Sequence, residues 1–80
     1  MSRSEIEAAL REVFADLFNK APESFSSATS PDNLPEWDSL AHVRLIAALE
    51  ERFGLFIPPE DQADMVTFEL VTDVLSDRLA

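Results

Sequence analysis

Apolar residues in the opening stretch SEIEAALREVFADLF recur at Ile6, Leu10, Val13, Phe14 and Leu17. Steps of three and four put them on one stripe of an α-helix and leave most of the charges on the other side. The pattern predicts a helix from about Ser4 to Asn19. Two capping boxes compete for its start, Ser4 with Glu7 and Ser2 with Glu5. A second periodic block, from Ser39 to about Phe53, turns His42, Leu45, Ile46, Leu49 and Phe53 to one side. Leu40, Arg44, Ala47, Ala48 and Glu51 fall opposite. Asp38 suits the N-cap of this helix and Gly54 the residue that ends it. Pro58 and Pro59, followed by Glu60 and Asp61, mark the start of a short helix. A final helix is predicted from near Thr67, with Phe68, Val71, Val74, Leu75 and Leu79 on its apolar side.

Between the first two helices the text changes character. KAPESFSSATSPDNLPEW, from Lys20 to Trp37, has no helical period and is rich in proline and serine. Loops this long inside a small domain are uncommon and usually serve function. Phe25 and Leu34 are its expected anchors in the core. The elements together predict an all-α fold, a small four-helix bundle of three main helices and one short one. A long loop joins helices one and two, and residues 1–80 form a single domain.

Composition narrows what such a bundle can do. Six basic residues stand against sixteen acidic ones, a net charge of −10. Nucleic acid and anionic lipid surfaces are bound through Lys and Arg, so both are disfavoured as partners. Basic protein surfaces are the natural targets, although a charge of this sign also simply keeps a small domain soluble. No apolar run approaches the ~20 residues needed to span a bilayer. The N-terminus carries acids where a signal peptide would be apolar. A cytoplasmic protein with no membrane insertion is expected. Cysteine is absent and glycine occurs once, which removes disulfides, thiolate metal sites and glycine-rich phosphate loops.

Candidate chemistry concentrates around Asp38, Ser39 and His42, the residue types of a hydrolytic triad. Their spacing argues against one. Ser39 and His42 lie about one turn apart on one helix, His42 points to the core, and Asp38 adjoins the serine instead of backing the imidazole. No nucleophile elbow or oxyanion loop accompanies them. One histidine without cysteine makes no ordinary zinc site, and neither acidic segment has the alternation of a calcium loop. No catalytic or metal-ligating residue is assigned. Ser39 remains, with two readings: it assists Asp38 in capping the helix, or it is an acceptor for a group whose phosphodiester would suit the positive helix end.

DSLAHVRLIAALEERFGLFIPPED resembles the signature segment of acyl carrier proteins. Asp38-Ser39-Leu40 begins it, Leu49-Glu50-Glu51 and Phe53-Gly54 follow, and Ile57-Pro58 leads into acids. The resemblance implies that Ser39 receives 4′-phosphopantetheine from coenzyme A through a phosphopantetheinyl transferase. The thiol of that arm would hold acyl groups as thioesters, the chain itself catalysing nothing. It implies partners with basic docking patches: synthases, transferases and an acyl- or aminoacyl-loading ligase. The docking surface would comprise Leu40, Val43, Ala47 and Glu51, with Asp38 and Glu50 at its edge. Arg44 stands where the fatty-acid-synthesis members usually have an acid, and suits the exclusion of some partners. A dedicated polyketide, lipid or related pathway is therefore expected. Trp37 is expected to anchor the loop and His42 to be a satisfied core histidine, contact with the arm or cargo being the alternative for each. The chain starts with Met1 and stops after its last helix, so a discrete, monomeric carrier is expected. The rival readings are an aminoacyl or peptidyl carrier and an unmodified acidic helical adaptor.

Overall fold

Ser2, not Ser4, opens the first helix. Its hydroxyl accepts the Glu5 N–H (3.2 Å) while the Glu5 carboxylate accepts the Ser2 N–H (2.8 Å). One pair of residues thus satisfies two donors that helix geometry leaves without partners. A computed structural model describes residues 1–79. Helix α1 spans Arg3–Phe18, α2 Ser39–Phe53, α3 Pro59–Asp64 and α4 Phe68–Leu79. A single 3₁₀ turn, Pro22–Ser24, interrupts the loop before α2. Among the described residues there is no strand.

The two long helices end alike. Asn19 (φ 55°) and Gly54 (φ 63°) both turn left-handed. The N–H groups of Asn19 and Lys20 return to the Ala15 carbonyl, and those of Gly54 and Leu55 to the Glu50 carbonyl. Asn19 therefore terminates α1 instead of continuing it, one residue short of the pattern's prediction. Asparagine and glycine are the residues that tolerate this conformation.

Helix α1 packs against both α2 and α4, and α3 packs on α4. Phe14, fully buried, sits where these meet. The rings of Phe25, Trp37 and Phe68 approach it edge-on, with centroids 5.2–5.3 Å away, and Phe18 lies 5.6 Å away at a tilt. These are the arrangements that the aromatic quadrupole favours. Leu10, Leu45, Leu49, Ile57, Met65, Val71 and Leu75 complete the core. Met65, to which the helical pattern assigned no role, is wholly enclosed just after α3. Ala48, predicted to face outward, is half-buried on the flank of α2 and shares a groove with Val13 and Leu17 of α1.

The loop is fixed to this core at several points. Phe25, Leu34 and Trp37 are all buried. The Phe68 N–H at the start of α4 donates to the Thr29 carbonyl (2.8 Å). Arg11 donates to the Phe25 carbonyl (3.2 Å) with its guanidinium 5.5 Å above the Phe68 ring. The polar text of the loop thus hides three apolar anchors that carry it across α1 to the start of α2.

Candidate modification site at the start of the second helix

Asp38 caps α2 in extended backbone geometry (φ −97°, ψ −173°), its carboxylate accepting the Ala41 N–H at 2.9 Å. The Asp38 carbonyl takes the first helical bond, from the His42 N–H (2.9 Å). Helix geometry leaves the N–H groups of Ser39 and Leu40 without an intrahelical acceptor. Ser39 is exposed. Because Asp38 does the capping, no hydrogen bond engages the Ser39 hydroxyl among the described residues. The cap of α2 is Asp38 and not Ser39.

The residues around it are held in place. Trp37 packs its indole edge-on against Phe14, and its backbone N–H donates to the Leu34 carbonyl (2.9 Å). The indole Nε1–H donates to His42 Nδ1 at 3.1 Å. An indole nitrogen can only donate, so Nδ1 must be bare and the ring proton must sit on Nε2. That Nε2–H donates to the Gln62 carbonyl (2.9 Å). Gln62 in turn donates its side-chain amide to the Ile57 carbonyl (2.8 Å). With both imidazole nitrogens committed, His42 has no lone pair to offer Ser39 as a base. Trp37 thus ties the loop to the core, and both ring nitrogens of His42 have partners.

An open groove of about 400 Å³ runs beside Ser39, between the loop, α2 and α3. Trp37, His42, Gln62, Met65 and Val66 line it. Gln62 carries no mark in the sequence, its contribution being a backbone carbonyl twenty residues from His42. Nor does Val66, half-exposed beside the groove.

On the outward side of α2, Leu40 and Val43 are 59% and 66% exposed, and Arg44, Ala47 and Glu51 are exposed with them. Glu50 is half-buried and accepts the Ile57 N–H (2.9 Å), which closes the turn after α2. Five of the six basic residues are engaged within the chain. Arg3 pairs with Asp73, Lys20 with Glu36, Arg52 with Glu12 and Arg78 with Asp61, while Arg11 holds the loop. Arg44 alone has no internal partner among the described residues. Near the site, Glu36 takes its own backbone N–H and the Lys20 ammonium, and titrates below the usual glutamate range.

The start of α2 thus presents an exposed serine with an uncommitted hydroxyl at the N-terminal end of a helix, in a small acidic bundle. A family model described as the phosphopantetheine attachment site matches residues 8–75. The chain is 35% identical over 80 residues to an acyl carrier protein of Thermosynechococcus vestitus, covering all of this chain and 99% of that one. It is 36% identical over 73 residues to an acyl carrier protein of Rubrobacter xylanophilus, covering 91% and 90% of the two. The chain belongs to the acyl carrier protein family. It is a carrier and not a catalyst, and phosphopantetheine is its cofactor. The start of α2 suits that group: a free primary hydroxyl, two N–H groups without intrahelical acceptors, and the positive end of the helix for a phosphodiester. Among the described residues no helix is long and apolar enough to cross a membrane.

Proposed function

We propose that Ser39 is the attachment residue and that the chain works as one carrier domain, presenting acyl intermediates as thioesters on the arm. The observation that carries this is the Ser39 hydroxyl, exposed and free because Asp38 caps α2. The arm supplies the thiol that a cysteine-free chain lacks. The protein's own residues hold the anchoring oxygen at a fixed point and leave N–H groups facing the phosphodiester. A phosphopantetheinyl transferase installs the arm. Loading ligases, synthases and transferases then meet the surface of Leu40, Val43 and Ala47, with Asp38, Glu51 and the partly engaged Glu50 at its rim. Electrostatic complementarity at such a rim sets encounter rate and partner choice more than raw affinity.

Arg44 sits in the middle of that surface with its guanidinium unspent. A partner whose patch is uniformly basic meets repulsion there, and this favours service in a dedicated polyketide or lipid pathway over general fatty acid synthesis. Intact-protein mass spectrometry after incubation with coenzyme A, magnesium and a broad-specificity transferase tests the assignment. The expected result is a gain of one phosphopantetheine, mapped to Ser39 and absent in Ser39→Ala. A folded Ser39→Ala protein that still gains the arm, or a wild type that gains none beside a working control carrier, overturns it.

A further inference from the structure

The chain has one tryptophan and one histidine, and the structure joins them two residues upstream and three downstream of Ser39. The link tolerates only one state of the imidazole. Trp37 Nε1–H occupies Nδ1 at 3.1 Å and the Gln62 carbonyl occupies the proton on Nε2. A protonated imidazole carries hydrogen on both nitrogens, so Nδ1–H would face the indole N–H across the same gap with no acceptor between them. Protonation leaves the Nε2–H bond to Gln62 intact and removes only the bond to Trp37. His42 is half-buried and lines the open groove, so protons can reach it. Asp38 is the one other titratable residue lining that groove, and its carboxylate is committed to the Ala41 N–H. From α3, Glu60, Asp61 and Asp64 do not line it, and Asp61 is held by Arg78.

We propose that His42 is a proton-sensitive positioning residue for Ser39: neutral, it fastens the Trp37 indole and the segment before Ser39 to α2 and α3, and protonated, it gives up that bond and loosens the segment and the wall of the groove. The released indole N–H must then find water from the groove side. The Asp38 cap is untouched, so α2 persists while the chain leading into it gains freedom. The latch is a property of the unmodified chain. Its bearing on Ser39 rests on the reading of Ser39 as the attachment residue.

The test begins with ¹⁵N-labelled, unmodified protein and the single indole N–H resonance, followed from about pH 8 to about pH 5, where histidines change charge. The indole resonance is expected to move and lose protection from solvent exchange with the same midpoint as the His42 ring protons. In His42→Gln, whose side-chain oxygen is an acceptor that does not titrate, it is expected to stay fixed. The second readout is the initial rate of arm transfer to wild type divided by that to His42→Gln, which cancels the transferase's own pH dependence. That ratio is expected to fall across the midpoint of the indole transition, by up to about fivefold, the factor one ordinary hydrogen bond sets in a two-state equilibrium. A wild-type indole signal that does not move across the range overturns the latch. A constant rate ratio while the indole moves overturns the positioning role. Failure of the wild type to accept an arm at any pH, beside a working control carrier, counts against the attachment reading, and the latch is then judged by the indole alone.

Discussion

Replacing Phe14 by alanine tests the core where the structure concentrates it. The ring is completely buried and meets four other aromatic rings at 5.2–5.6 Å. Truncating a buried Phe to Ala costs about 3–5 kcal/mol, and the lost edge-on pairs, each worth about 0.5–1.5 kcal/mol beyond area, favour the upper half of that range. A chain of this size has roughly 4–12 kcal/mol of total stability at about 0.05–0.15 kcal/mol per residue. The variant is therefore expected to keep at most about 8 kcal/mol, and to be unfolded at 25 °C if the parent lies at the low end of its range, with Tm lower by at least about 12 °C. Phe14→Leu keeps most of the volume and should lose less than half as much. Thermal melts followed by circular dichroism supply the magnitude. Trp37 fluorescence supplies the location, because the indole rests on Phe14. A loss under about 1 kcal/mol with an unchanged Trp37 spectrum would refute the placement of Phe14 at the centre of the packing.

Gly54→Ala introduces a Cβ that meets nothing within 4 Å, so only the left-handed backbone opposes it; the expected cost is roughly 1 kcal/mol by denaturant titration. Gly54→Asn should cost less, since Asn19 already adopts that conformation at the end of α1, and equal losses would point to some other cause. The Glu5 carboxylate is held below the usual glutamate range by the Ser2 N–H and hydroxyl. Its contribution is present above the unfolded-state pKa and disappears as pH falls through the lower, folded-state value. Amide exchange at the first turn of α1 should thus accelerate in acid in the wild type, and vary less with pH in Glu5→Gln. Arg44→Glu should leave stability within about 0.5 kcal/mol, as expected where no internal partner is lost. It should change which carrier-dependent enzymes accept the loaded protein in a rate panel, and an unchanged profile would remove Arg44 from partner choice.

The helices were legible because their apolar spacing is regular and their ends carry explicit chemistry: Asp38 before α2, Gly54 after it, paired prolines before α3. The start of α1 was ambiguous in principle, since Ser2–Glu5 and Ser4–Glu7 satisfy the same pattern and only the chain's path decides between them. The loop anchors Phe25 and Leu34 were readable as apolar residues stranded in polar text. Met65 was not, because it follows the last turn of a helix too short to show a period. Ala48 was misplaced since alanine is small enough to sit on the flank of a helix and let its neighbour approach. Ser39 could be singled out by position and motif, but its freedom from capping could not, because that depends on which of two adjacent residues the helix uses. The Trp37–His42–Gln62 chain was out of reach for another reason: its last acceptor is a backbone carbonyl brought across from α3.

On the proposed attachment at Ser39, Asp38 and Ser39 divide between them two tasks that one residue cannot perform. A serine at the N-cap spends its oxygen accepting an N–H, whereas at the next position it keeps that oxygen and merely faces the helix end. The negative charge of Asp38 would be a cost beside a phosphodiester on Ser39, so on that proposal its presence is explained by the cap it provides or by recognition from outside. The substitutions Asp38→Asn and Asp38→Ala separate these explanations. Asparagine caps about as well as aspartate but carries no charge, and alanine does neither, at a cost of roughly 1 kcal/mol. Without a capping side chain at 38, Ser39 is the nearest residue able to take over, and doing so would engage the hydroxyl to which the proposal attaches the arm. If the cap is what matters, arm transfer to Asp38→Asn proceeds near the wild-type rate and transfer to Asp38→Ala is slowed. Amide exchange should then show the helix start displaced by one residue in the alanine variant alone. If the two variants are equally slow while only alanine disturbs the helix, the carboxylate is being read by the transferase, and the freedom of Ser39 does not depend on its neighbour's cap.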